Sequence, residues 1–230
     1  NLKAEIRGLG QAERNAQDGV SMVQIAEGAL SEVSNILIRL RELSVQAASD
    51  TIGNKERGFL NLEFEQLVSE VDRIADSTEF NGVSLLNGTG AQLDIQIGTS
   101  NDPMSDRLYF DASNADINIA SLGLNLASVS DKISSQNTLS SLDQAIDRVS
   151  GIRAGFGALQ NRLQSTINNI AVSIENMSAA NSRVRDADIA AETAELTKNN
   201  ILVTAGTSVL AQANASSKSA LQLIQATTQG

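Results

Sequence analysis

Apolar residues recur at every seventh position through the first stretch of the chain. Leu2, Leu9, Ala16, Val23, Leu30 and Leu37 form one series, and Ala12, Gly19, Ala26, Val33, Leu40 and Ala47 form a second, three positions on. Such paired series are the a and d seams of a heptad repeat, and they predict a long helix packed lengthwise on others. The helix is expected from about Leu2 to about Ala48. Small residues at many seam positions imply close helix approach. Gly19 and Gly28 each cost roughly 1 kcal/mol relative to Ala in a helix interior, so tight packing is expected at both.

The segment SDTIGNKERG, residues 49–58, reads as a turn because it holds two Gly and an Asn. A second helix is expected from about Phe59 to Ala75, where Leu60, Phe64, Leu67, Val71 and Ile74 make one apolar stripe. Asn81-Gly82 marks a turn after it. Leu93, Ile95 and Ile97 then alternate with Asp94 and Gln96, and Leu108 and Phe110 with Tyr109 and Asp111. That period of two predicts a β-hairpin at about 91–112, its connection carrying the lone Pro103. Residues 113–137 are rich in Asn, Ser and Asp and are expected to be mostly irregular. In the third and longest helix Leu142, Val149, Phe156, Leu163, Ile170, Met177 and Val184 are spaced by seven. Ile189, Leu196, Val203 and Leu210 then start a second series out of phase with the first. A register break in RDADIA implies a kink, a stutter or a domain boundary, and a boundary at 185/186 is the reading taken.

The fold class that follows is mainly α: a long antiparallel, coiled-coil-like helical bundle or rod with a small β-hairpin insert. Site chemistry is restricted. The chain has no His and no Cys, which removes imidazole bases, Ser-His-Asp triads and zinc sites of the HExxH kind. Seventeen basic against twenty-seven acidic residues leave a charge of −10. That is the wrong sign for nucleic acid or an anionic membrane surface, and no apolar run is long enough to span a bilayer. Asp186 with Asp188, or Glu65 with Glu70, read as solvated helix charges rather than catalytic pairs. The Gly-rich GTGAQ lacks the Lys of a phosphate-binding loop. No cofactor and no catalytic residue is expected; the chain reads as structural.

Four stretches are similar to bacterial flagellin: QAERNAQDGVSMVQIAEGAL (11–30), RLRELSVQAAS (39–49) with EVDRIADSTEFNGVSLLNG (70–88), GALQNRLQSTINNI (157–170), and SRVRDADIAAETAELTKNNIL with AGTSVLAQAN (182–214). They lie at both ends in the family's order. The resemblance implies an extracellular filament subunit that supports swimming, is exported unfolded by the flagellar type III apparatus, and meets an export chaperone, a cap and other flagellin subunits. It implies an outer core domain over 1–185 and, over 186–230, the C-terminal helix of the inner core domain. The chain begins at Asn1 without a signal sequence, and its N-terminal partner helix is expected to be missing. Residues 190–230 are then expected to be mobile in the monomer. Large variable outer domains are not expected. The alternatives are a hook–filament junction protein and a flagellin-like surface adhesin or ligand-binding protein.

Candidate contact residues follow from the same resemblance. Arg39, Leu43 and Glu70 match the patch by which flagellins engage the vertebrate flagellin-sensing Toll-like receptor, although Ile38 stands where many sensed flagellins have Gln. Otherwise they are ordinary helix residues. Ile38 lies nearly opposite the Leu37/Leu40 seam, with Val45 one heptad on, so both are buried either by the rest of this chain or by another subunit. Ile189, Leu196, Val203 and Leu210 complete the candidate subunit interface.

Overall fold

The computed structural model describes residues 2–227; for 185–188 and 222–227 it describes the backbone course alone. The element order is α1 (Leu2–Ala47), α2 (Asn54–Ser77), β1 (Glu79–Phe80), β2 (Val83–Ser84), β3 (Gln92–Gln96), β4 (Arg107–Asp111), a 3-10 turn (Ala112–Ala115) and α3 (Lys132–Thr227). The chain divides into two compact units, residues 3–175 and the part from Asn176 onward.

In the first unit the heptad seams become the core. Ala16, Gly19, Val23, Ala26, Leu30, Val33, Leu37, Leu40 and Ala47 of α1 are all buried, because a repeat of seven keeps one side of a helix against its neighbours along its length. Phe64 and Val71 of α2 face them, as do Leu142, Val149, Phe156 and Leu163 of α3. The close approach expected at Gly19 is present: a Cβ there would lie 2.8 Å from Ile95 Cδ1 and 3.3 Å from Leu163 Cδ1. Gly28 differs from expectation. It is exposed, with nothing within 4 Å of the Cβ position, so intrachain packing does not account for it.

The β3–β4 hairpin falls where the alternation places it, antiparallel, with Leu93 opposite Phe110 and Ile95 opposite Leu108. Ile95, Leu108 and Phe110 point into the core while Asp94 and Tyr109 face outward. The Phe110 and Phe156 rings lie 4.9 Å apart and tilted, which joins the hairpin to α3. A second, minimal hairpin, β1–β2, forms around the Asn81-Gly82 turn.

Two boundaries differ from the periodicity reading. Helix α2 begins at Asn54 rather than Phe59, and Gly58, read as part of the turn, lies inside it. Helix α3 begins at Lys132, within the stretch expected to be irregular. Asp131 caps it: its carboxylate accepts from Ser134 N at 2.9 Å and from Ser134 Oγ at 2.7 Å, the exchange an N-cap aspartate makes with the first turn. Residues 116–131 lack regular structure but bury Ile117, Leu122, Leu124 and Val129. Side chains of α2 anchor that segment, Asp72 accepting from Ile119 N and Asn61 from Val129 N.

Helix α3 runs through the register break without interruption. Burial of its first seven-spaced series ends at Ile170; Met177 is half-buried and Val184 exposed. The side chains of Asp186 and Asp188 lie outside the described residues.

Candidate interaction surfaces

On α1 the guanidinium of Arg39 reaches across to α2. Its Nε and Nη2 donate to Glu63 Oε1 at 2.9 and 2.8 Å, and its Nη1 donates to Glu42 Oε2 at 3.1 Å. The Glu63 carboxylate, then Glu42, holds the Arg39 pKa above its ordinary value. Glu70, on the same helix as Glu63, is held by Arg73 at 2.6 Å. That bond keeps its carboxyl below the usual glutamate range. Both ion pairs are largely solvated, so they shape local charge more than stability.

The three residues matched to receptor contact are not one exposed patch. Arg39 is exposed and Glu70 lies at the half-buried edge of α2, but Leu43 is fully buried in the core cluster. Helix geometry explains the burial: Leu43 lies three residues after Leu40, on the flank of the seam that the core covers.

Ile38 and Val45 behave oppositely. They are 49% and 52% exposed, so the rest of the chain leaves them uncovered. The reading in which the chain's own helices bury them is thereby overturned. A further pair escaped the sequence reading: Phe59 and Leu62 of α2 are each 61% exposed. They fall off the Leu60–Ile74 stripe and could have been flagged by that alone.

In the second unit Ile189, Leu196, Val203 and Leu210 are 56–67% exposed along α3, accompanied by Ile201, Leu202 and Val209. Such a seven-spaced apolar series left in water forms a continuous exposed apolar stripe along the helix. Among the described residues no group of three or more carboxylates could hold a metal ion. Glu65 accepts a hydrogen bond from Asn61 at 2.7 Å, and Glu70 is taken by Arg73. No described helix is long and apolar enough to cross a membrane.

Comparison with known proteins points to one family. Residues 1–91 match the bacterial flagellin N-terminal helical region and residues 139–224 the bacterial flagellin C-terminal helical region. Flagellin of Halalkalibacterium halodurans is 41% identical over 224 residues, covering 97% of this chain and 81% of that protein. Flagellin of Bacillus subtilis is 40% identical over 254 aligned positions, covering 97% and 83%. The crystal structure of Bacillus cereus flagellin superposes with a TM-score of 0.61 at 35% identity, over 73% of this chain and 94% of that one. With both terminal regions matched and two-fifths of its residues shared across nearly its whole length, the chain belongs to the bacterial flagellins, structural subunits of the extracellular flagellar filament rather than enzymes.

Proposed function

We propose that this flagellin joins its neighbours in the filament through two apolar surfaces that it does not cover itself. The first is the seam of Ile189, Leu196, Val203 and Leu210; the second is the Ile38–Val45 face of α1. The observation that carries the reading is the exposure of the α3 seam at heptad spacing. Burying an aliphatic side chain is worth roughly 1.5–3 kcal/mol, so a seam of four supplies a substantial drive to associate. The seam belongs to the C-terminal helix of the inner core domain, and residues to 185 to the outer core. In the bacterium that makes the protein, Ile38→Asp with Val45→Asp is expected to shorten or abolish filaments seen by electron microscopy. Filaments of normal length and number would remove the α1 face from the interface.

Export unfolded through the flagellar type III apparatus, with a chaperone shielding the C-terminal seam and a cap receiving it, fits a chain that exposes so much apolar surface alone. A second reading concerns host sensing. Arg39 on α1 and Glu70 on α2 offer opposite charges to the vertebrate flagellin-sensing Toll-like receptor, with Leu43 supporting the helix from beneath. Arg39→Ala is expected to weaken signalling in receptor-bearing cells, and an unchanged response would reject that contact.

A further inference from the structure

Two Asn-Gly pairs occur in this chain, and the fold puts them in opposite surroundings. Asn81-Gly82 is the loop of the β1–β2 hairpin; the ladder pairs Phe80 with Val83 and leaves both loop residues outside it. Asn81 is exposed and has a φ of 52°, the only positive value at a non-glycine among the described residues. Among the described residues no hydrogen bond holds its carboxamide. Gly82 follows at φ 77°, with open space where a side chain would stand.

Asn87-Gly88 is locked. Asn87 Oδ1 accepts from Thr89 N at 3.1 Å and from Thr89 Oγ1 at 2.7 Å. Its Nδ2 donates to Asp76 Oδ1 at 3.4 Å, and its main-chain oxygen accepts from Asn118 Nδ2 at 2.9 Å. The Asp116 side chain crowds Gly88, its Cγ 2.7 Å from the Cβ position.

We propose that Asn81 is a site of spontaneous deamidation, and that the fold protects Asn87 from the same reaction. The main-chain nitrogen of Gly82, after giving its proton to base, attacks Cγ of Asn81. A nitrogen–Cγ bond forms, the Cγ–Nδ2 bond breaks, and ammonia leaves with a proton from solvent. Water then opens the resulting five-membered imide. Cleavage at the Cγ side gives aspartate at position 81; cleavage at the α-carbonyl side gives isoaspartate, with the main chain running through Cβ. The net change is amide plus water to carboxylic acid plus ammonia, so water is the single co-reactant. Glycine at 82 leaves the attacking nitrogen unshielded, and the unheld carboxamide can turn towards it. At Asn87 the carboxamide is fixed by Thr89 and Asp76, and its backbone by Asn118.

The product changes a defined surface. Asn81 shares the wall of a groove with Asp18, Asp94, Met22 and Ile95. Deamidation adds a carboxylate beside Asp18 and Asp94, and isoaspartate also inserts a methylene into a loop whose two residues set the hairpin register. Since only water is consumed, conversion continues outside the cell and rises with the age of each subunit.

The test is to incubate the purified protein in mildly alkaline buffer and follow both sites by peptide mass mapping that separates aspartate from isoaspartate. A parallel sample is held unfolded in denaturant. In the folded chain conversion at residue 81 is expected to outrun that at residue 87 several-fold, and in denaturant the two rates converge. Equal rates at the two sites in the folded chain, or faster conversion at residue 87, would overturn the proposal.

Discussion

Arg57 donates from Nε to the main-chain oxygen of Ala47 at 2.8 Å, so the first turn of α2 closes the open end of α1. Its Nη2 donates to Ser49 O at 2.8 Å and its Nη1 to Asn54 Oδ1 at 2.9 Å. The last carbonyls of a helix lack intrahelical partners and favour a nearby cation. The last turn of α1 has no basic residue of its own. Arg57, 6% exposed, supplies that cation from the next helix. Arg57→Ala leaves buried carbonyl oxygens unpaired, and chemical denaturation is expected to show a loss of about 2–4 kcal/mol. Arg57→Lys should recover only part of it, because an ammonium lacks the planar fork that reaches three acceptors.

The two α1 glycines should respond oppositely to alanine. At Gly28 there is open space, so Gly28→Ala is expected to gain roughly 1 kcal/mol from helix propensity. At Gly19 the new methyl meets Ile95 and Leu163, both buried in the core. Overpacking of this kind costs typically about 1–3 kcal/mol, which offsets or exceeds the propensity gain. Denaturant midpoints of the two variants against the parent check the pair. Equal gains at both positions would show that the α1–α3 approach at Gly19 is looser than described.

Acid should weaken the fold through carboxylates whose charged forms are held. Ser134 N–H and hydroxyl lower Asp131; Lys132 lowers Asp50; Arg73 lowers Glu70. A carboxyl with a depressed folded pKa adds stability above its unfolded pKa and loses it as pH falls through the folded one. The loss therefore lies on the acid side of 3.8 for the aspartates and 4.5 for the glutamate. Thermal melts should be nearly flat above those values and fall below them. Asp131→Asn keeps a good cap but removes one titrating charge, so its melting temperature should fall less steeply in acid.

The exposed α3 seam predicts how the single chain behaves in solution. Helices without tertiary support are marginal in water, and the seam residues of 189–210 bury little on their own chain. Amide exchange in dilute monomer is expected to be fast over this stretch and slow at Leu30, Leu37 and Leu142. Slow exchange through 189–210 in the monomer would show that the helix needs no partner.

How far the sequence could be read depended on whether burial had a period. The α1 seams were legible residue by residue because a long helix repeats the same face. The β3–β4 hairpin was legible because Leu93, Ile95, Leu108 and Phe110 alternate with polar neighbours. The start of α3 was not, since its signal is one aspartate–serine cap within a polar stretch. Nor were Arg57, Asn61 and Asp72, whose partners lie on other segments and leave no spacing to detect. Of the candidate contacts, Ile38 and Val45 were read as buried because α1 is apolar nearly all round there, and their exposure depended on tertiary packing that leaves no spacing in the sequence. Leu43 was matched to receptor contact by resemblance alone, and its burial follows from its place on the flank of the seam.

The central claim is that the open α3 seam binds neighbouring subunits. The most direct measurement replaces Leu196 and Val203 with Asp in the bacterium's own flagellin and images the cells by electron microscopy, with circular dichroism and thermal melts confirming that residues 3–175 fold as before. Cells without filaments and without swimming are expected, despite a stable first unit. Filaments of ordinary length on swimming cells would contradict the claim.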